Sequence, residues 1–581
     1  VNTHFARDVY SFGLHYFDED YQPINFHEPI AWVNPSSHAM QNPTSNDLYN
    51  GNIRFMQTNL TDPVTRDAMP MLNVYQYDQL NRLLASRSYE TGFNNNSWNP
   101  TTYNNEYYNA FTFDPNGNIL TQKRHSQDGT LWEDLTYRYQ YVDQTNEVGL
   151  LRNRLYHLND AVGVVDPNGS DLDDQGAFNP AALTINTANN YSFDEEGRLI
   201  RDAKEDIEKI TWRVDGKVKS IERPLQSGKK NVSFDYDGFG HRIAKHVYDD
   251  DWMLEKSTYY ILDAQGNQLS LYEHEVNAQT VAYTLKERNI YGSTVLGFYG
   301  DSIDVYASQS TSTTSTVLGK KYYQLSDHRG NVNTVISDIK YPVEDNGYVD
   351  YFEAHLVSIS DYSPFGVQLD ERTVSSSSYR YGFNGMERDD EIKGSGNSYD
   401  FGARMYDSRM GRWLSRDALE SKYPYLSTYN FVSNNPIIAV DPNGKEIIIV
   451  TNSGDRIYYK PMMEIPKDAD RFTQDAIIGL NLMYSHVPTA DKKIDLLTTP
   501  TYNVEIHRGL KSQVFGIGGG SIPSIFWNSD MAEQIENEEW QSPLIGLAHE
   551  FDHVWRYYSI LEGMSEASTV AEQVHWEKLY D

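Results

Sequence analysis

His549-Glu550-Phe551-Asp552-His553 is the stretch of this chain whose residue types and spacing most directly imply chemistry. Two histidines at i and i+4 lie on the same side of a helix, close enough for both imidazoles to grip one Zn²⁺. The glutamate beside the first histidine is then placed to take a proton from a water that the metal acidifies. Zinc at a catalytic site needs a third protein ligand, with the fourth position left for water. Glu572, downstream of His553, is the expected third ligand, and Glu566, His575 and Glu577 remain alternatives. The pattern in which a third histidine follows closely is excluded, because Arg556 stands where glycine is required and Ser559 where that histidine would fall.

The elements that must position this set are legible nearby. Ser542-Pro543 supplies an N-cap followed by the residue best tolerated in a first helical turn. Leu547, Phe551, Val554 and Tyr558 recur at helical spacing and define a core face, from which His549 and His553 point away. Gly563 breaks that helix, and Ser565 caps a second one running to about Tyr580, which carries Glu572. Upstream, the apolar run 446–450 predicts a first strand. A helix is expected over 470–484, and strands over 503–507 and 522–527. The last of these is the expected edge along which a substrate backbone adds as a further strand. Gly516-Ile517-Gly518-Gly519-Gly520 lacks the Lys-Ser/Thr of a phosphate loop and reads as a turn.

Composition bounds the rest. The formal net charge is −33, and residues 446–581 alone carry 21 acidic and 10 basic side chains, a surface that repels phosphate backbones and argues against nucleic-acid binding. With no cysteine, any metal must rest on His, Asp or Glu. No apolar run is long enough to span a bilayer. Aromatic content of 13 %, with 44 tyrosines, and a mean hydropathy of −0.64 suit a β-rich chain. The chain opens Val1-Asn2-Thr3 in mid-pattern, which leads us to expect a fragment or processed product of something longer.

Most of the chain upstream is dominated by a repeated unit, aromatic-x-aromatic-Asp-x-x-Gly with Arg, Asn or Lys and an aliphatic residue after it. It appears at Tyr75 to Leu83, at Phe111 to Ile119 and at Tyr191 to Leu199, and in weaker form at Trp212 to Val218, Phe234 to Ile243 and Ile261 to Leu269. Alternating aromatics give a strand one buried face. The aspartate can accept hydrogen bonds from the backbone just ahead, and glycine tolerates positive φ, so each unit predicts a hairpin turn. A single hairpin cannot bury its own face, so the units must stack into a long sheet.

These residues resemble the Rhs/YD-repeat family, over about 1–444. The resemblance is densest in 322–444, through Tyr323 to Val332, Asp361-Tyr362-Ser363-Pro364-Phe365-Gly366, Tyr381 to Glu387, Tyr399 to Asp407, Gly411 to Asp417, Tyr429 to Pro436 and Asp441-Pro442-Asn443-Gly444. The resemblance implies a mainly β chain: a YD-repeat antiparallel sheet spiralling into a shell over 1–321, with a core-associated plug over 322–444. It further implies that the segment beyond the plug is variable cargo, usually a toxin. Many members cut themselves after the last of these motifs with two aspartates, which here fall on Asp417 and Asp441; turn-forming aspartates without catalysis are the alternative. Two departures weigh toward that alternative: Ala418 replaces the proline expected after Asp417, and Lys445 replaces the large apolar residue that usually sits at the scissile bond; scission, where it occurs, is expected between Lys445 and Glu446.

Residues 445–581 are expected to form an α+β zinc metallopeptidase domain. Ser524 to Asn528, Ser542 to Glu550 and Ala571 to Glu577 resemble bacterial metallopeptidase effectors and toxins of the gluzincin type. That reading implies a secreted protein delivered by a bacterial secretion system, a protein substrate and a cognate immunity protein. It also implies a further upstream shell segment or delivery apparatus, since the repeat region is short for enclosing such a cargo. A non-enzymatic cell-surface or adhesion protein with a degenerate C-terminal domain is the competing expectation.

Overall fold

The computed structural model describes residues 6–17, 48, 51–90, 93–94, 97–98, 104–163, 171–180, 189–276, 281–292, 295–305, 317–345, 347–374, 379–418, 420 and 426–441. Beyond these it describes the short strands 449–450, 456–457, 505–508, 513–515, 524–527, 533–534 and 540–541.

Strand follows strand in chain order. An eight-stranded antiparallel sheet starts at Tyr10–His15 and Phe55–Thr61 and ends at the long hairpin Leu131–Asp143 and Val148–Asp160. A hairpin of Tyr191–Phe193 and Leu199–Asp202 leads to a second antiparallel sheet. That sheet has eleven strands, from Lys209–Trp212 to Tyr348–Ile359. The wall therefore runs past residue 321, with residues 321–359 forming its last three strands. It also comes round on itself. Ala6 forms a parallel bridge with Phe352, the Arg7 amide donates to the Phe352 carbonyl at 2.9 Å, and Val9 packs with Ala354 and Leu356.

The turns behave as the repeat predicts. In the Asp114 turn the Asp114 amide donates to the Asn118 carbonyl and the Gly117 amide returns to the Asp114 carbonyl, both at 3.0 Å. Asp114 Oδ1 accepts the Asn118 amide and Oδ2 accepts the Asn118 side chain, each at 2.8 Å. Asp194, Asp263 and Asp327 repeat the arrangement with Arg198, Asn267 and Asn331. The fourth residue needs positive φ, which Gly117 (75°) and Gly330 (85°) adopt without a Cβ clash. Asn81 takes the same place at φ 60°, which explains a copy of the unit that lacks glycine.

The described residues between 360 and 441 pack against both sheets. Tyr362, Phe365, Phe383, Tyr399, Phe401, Tyr406, Trp413 and Phe431 form one buried cluster with Met56, Tyr75, Leu83 and Phe111 of the first sheet. Ile392, Met405, Met410 and Leu414 join a second cluster with Leu135 and Tyr139 of the first sheet and Ile221, Val232 and Phe234 of the second. Each such side chain, fully buried, contributes roughly 1.5–3 kcal/mol.

Buried ion pairs lock the plug to the wall. Lys393 Nζ lies 2.8 Å from Asp202 and 2.9 Å from Asp407, with all three side chains about 1 % exposed. Arg242 and Lys245 of the second sheet both reach Asp389, and Arg372 joins Asp361 to Glu90, just past the strand Leu83–Tyr89 of the first. Charges this deep must be paired, because an ion removed from water without a partner costs several kcal/mol.

Towards the C-terminus, Ile449–Val450 pairs with Arg456–Ile457, and Ser524–Trp527 pairs in parallel with Glu505–Arg508 and antiparallel with Gln513–Phe515. The strands expected at 446–450, 503–507 and 522–527 therefore overlap observed ones, while the helix expected at 470–484 lies outside the described residues. One expectation is corrected. Ser524–Trp527 is the central strand of its sheet, with both edges already paired, so it has no edge to lend to a substrate backbone. Among the described residues no helix is long and apolar enough to cross a membrane.

Candidate functional site

Of the residues singled out by the sequence, the described structure reaches two, Asp417 and Asp441, and brings them together. Met405–Asp407 is the inner strand of a small sheet, paired with Ser398–Asp400 on one side and Arg412–Trp413 on the other. The turn entering it, closed by the Phe401 amide on the Arg404 carbonyl at 3.1 Å, presents Arg404. The chain then passes Arg412 and Trp413 and is gripped by the segment that leads to Asp441. The Trp413 amide donates to the Tyr429 carbonyl at 3.1 Å, and the Asp417 amide to the Thr428 carbonyl at 3.0 Å.

Both carboxylates then meet one guanidinium. Arg404 Nη1 lies 2.9 Å from Asp417 Oδ2, and Nη2 lies 3.0 Å from Asp441 Oδ2. The guanidinium sits over the Trp413 ring at 4.1 Å, a cation–π contact that fixes its plane. The site is recessed, with Arg404 5 %, Asp417 14 % and Asp441 9 % exposed at their side chains.

The chemistry of such a set is constrained. Two carboxylates brought together repel one another, and a cation or a shared proton must offset that. The Arg404 guanidinium does so by reaching both at once: Nη2 donates a hydrogen bond to Asp441 and Nη1 holds Asp417 as an ion pair. A carboxylate pair held in this way can orient and deprotonate a water against a peptide carbonyl, the logic of an aspartic dyad.

Arg404 is the residue that sequence reasoning missed. It lies within the run Tyr399 to Asp407, and its only signal is a charge set among residues destined for an aromatic core, which must find a buried partner. Its distance from Asp441 in the chain gives no hint of which partner.

The zinc set falls elsewhere. His549, Glu550, His553 and Glu572, with Glu566, His575 and Glu577, lie outside the described residues. Among the described residues no group of three or more His, Asp or Glu side chains could hold a metal ion.

No family model matches the chain. Over 256 residues, 43 % of its length, it is 26 % identical to salivary gland surface protein 1 of Aedes aegypti, covering 6 % of that protein. Over 92 residues, 15 % of its length, it is 35 % identical to toxin subunit YenC1 of Yersinia entomophaga, covering 9 % of that protein. The chain thus spans less than a tenth of the length of these curated relatives. Among solved structures, a TcdB2-TccC3-TEV crystal structure aligns over 68 % of this chain and 18 % of its own, with 14 % identity and a TM-score of 0.35.

Proposed function

We propose that this chain is part of an Rhs-type polymorphic toxin, in which a repeat-built wall and its plug precede a C-terminal zinc endopeptidase, and that Asp417 and Asp441 sever the two between Lys445 and Glu446. The observation that carries the self-cleavage reading is the convergence of Asp417 and Asp441 on Arg404. One range of 92 residues shared with a named toxin subunit supports the wider assignment.

In the proposed scission, one aspartate takes a proton from water as the other, protonated, donates to the carbonyl oxygen of the Lys445–Glu446 bond. Arg404 keeps the two carboxylates at one recess. The first aspartate then passes its proton to the leaving nitrogen as the amide breaks, and the second takes back the proton of the tetrahedral hydroxyl, leaving a carboxyl group on Lys445 and an amino group on Glu446.

The donor set proposed for the second site, two imidazoles and one carboxylate from His549, His553 and Glu572, suits Zn²⁺. Zinc would supply Lewis acidity, polarising a peptide carbonyl and acidifying water. Glu550 would accept the proton and return it to the leaving amine. The proposal entails a protein substrate, delivery by a secretion system and an immunity protein that shields the producing cell.

A second reading, a surface or adhesion protein without enzymatic activity, has its own support in the longer match to a protein named for the salivary gland surface. Zinc content of the purified chain, together with proteolysis of a protein substrate that disappears in Glu550→Ala, separates the two. A chain that binds no zinc and cuts nothing favours the surface protein. Intact-mass measurement tests the scission: two fragments from wild type and one whole chain from Asp441→Asn are expected, and a whole wild-type chain overturns it.

A further inference from the structure

The segment that carries Asp441 has an unusual backbone. Val432, Ser433 and Asn434 in succession adopt positive φ of 40°, 56° and 58°. Single residues visit this region in turns, but three in a row, one of them β-branched, are strained and persist only where surroundings over-determine them.

Those surroundings are turns of the wall. Asn434 Nδ2 donates to the Gly117 carbonyl at 2.8 Å, and Asn435 Nδ2 donates to the Asn81 carbonyl at 2.7 Å and to Asn52 Oδ1 at 2.8 Å. Gly117 and Asn81 are the positive-φ residues of the Asp114 and Asp78 turns. Two further turns take part. Tyr429 Oη donates to the Gly197 carbonyl at 2.6 Å in the Asp194 turn. From the Asp327 turn, Arg329 reaches the Pro436 carbonyl at 3.2 Å and His328 Nε2 the Ile437 carbonyl at 2.7 Å. The segment so pinned holds Asp417 through Thr428 and leads directly to Asp441.

We propose that these four wall turns position the aspartate pair, with Asn434 and Asn435 as positioning residues, so that Asp417 and Asp441 meet only after the wall has folded around the plug. The inference rests on the reading of that pair as a self-cleaving site and adds its regulation. A chain folding from its N-terminus would keep its cargo attached until the container was complete. Residues from 52 to 437 must come together before scission, and an incomplete wall would leave the left-handed turn without its anchors.

The test uses the full chain and follows the cut fraction with time by denaturing gel and intact mass, with Asp441→Asn as the uncut control. Asn435→Asp keeps the shape but sets an ionised acceptor against two acceptors. Asn434→Gly keeps the positive φ but removes the amide. Both are expected to cut about tenfold or more slowly, the cost of a small misplacement, while thermal melting shows a folded chain. The rate of Asn435→Asp relative to wild type should recover in part as pH falls, starting above the ordinary aspartate range because the buried carboxyl faces two acceptors, since a protonated side chain regains a donor; a role confined to stability would not produce that profile.

A second arm works in the uncut Asp441→Asn background. Amide exchange at Trp413 and Asp417 should quicken when Asn435→Asp is added. Folded variants that cut at the wild-type rate overturn the inference while sparing the self-cleavage reading. A wild-type chain that never cuts removes the self-cleavage reading, and the exchange arm then decides alone whether the turns hold the pair: unchanged exchange overturns the positioning.

Discussion

Asp417 and Asp441, which belong to separate sequence motifs, are joined by the two terminal nitrogens of a single arginine, at 2.9 and 3.0 Å. The two motifs that carry them share no local structure. They meet because Thr428 and Tyr429 pair with the backbone of Asp417 and Trp413, and because Arg404 arrives from the turn before Met405–Asp407. The arginine is thus both the bond between the two halves of the site and the group that lets two carboxylates share a recess.

Replacing that arginine separates the two roles. Arg404→Met leaves two carboxylates without their cation, which should cost about 3–5 kcal/mol in denaturant titration. Adding Asp417→Asn and Asp441→Asn to the same chain should restore much of that loss. Arg404→Lys keeps a charge but not a group wide enough to reach both carboxylates, so it should fold better than Arg404→Met yet still cut poorly. Equal stability of Arg404→Met and wild type would contradict the pairing.

Lys393 tests the seam between plug and wall. Burial alone would lower its pKa, but Asp202, Asp407 and Glu205 outweigh that and hold it well above the ordinary lysine value. Burial likewise opposes ionisation of Asp407, whose carboxyl Lys393 and Arg409 nonetheless hold below the usual range. A raised lysine contributes below its unfolded pKa and is lost as pH rises through the folded one; a lowered aspartate contributes above its unfolded pKa and is lost as pH falls through the folded one. The seam should therefore hold at constant strength between about pH 5 and 9. Lys393→Met should cost about 3–5 kcal/mol throughout that range, read as a parallel drop of the stability curve.

Asp171 gives the opposite pH dependence. Burial, followed by Glu133, Asp160 and Asp173, pushes its carboxyl up to about 7. The folded chain then binds more protons than the unfolded one between about pH 4 and 7, so this group's contribution falls as pH rises across that window. Asp171→Asn should be near neutral at pH 4 and stabilising at pH 8, by on the order of 1–2 kcal/mol once solvent screening of a half-buried group is allowed for. Identical wild-type and variant curves at both pH values would refute it.

The zinc proposal predicts about one metal ion per chain by elemental analysis. His549→Ala and His553→Ala should abolish binding. Glu550→Ala should keep the metal and lower proteolysis by about a hundredfold or more. Loss of metal in Glu572→Gln but not Glu566→Gln would identify the third ligand, and the reverse would move it to Glu566.

How far residues could be read ahead of the fold depended on the range of the forces involved. The Asp114 and Asp263 turns are closed by hydrogen bonds that their own side chains supply to near neighbours, so sequence alone determined the turns, the strands between them and the mainly β architecture they build. The zinc motif is likewise a local expectation, since helical spacing is a local property, and its residues lie outside the described ones. The Asp417–Asp441 pair was legible only as two motifs. That Arg404 binds both, that Asn434 and Asn435 rest on turns of the first sheet, and that Ser524–Trp527 has no edge to offer were decided by tertiary structure. Each depends on which distant strand comes to lie alongside. That choice is made by the burial of whole faces and the pairing of buried charges, which a window of neighbouring residues does not encode.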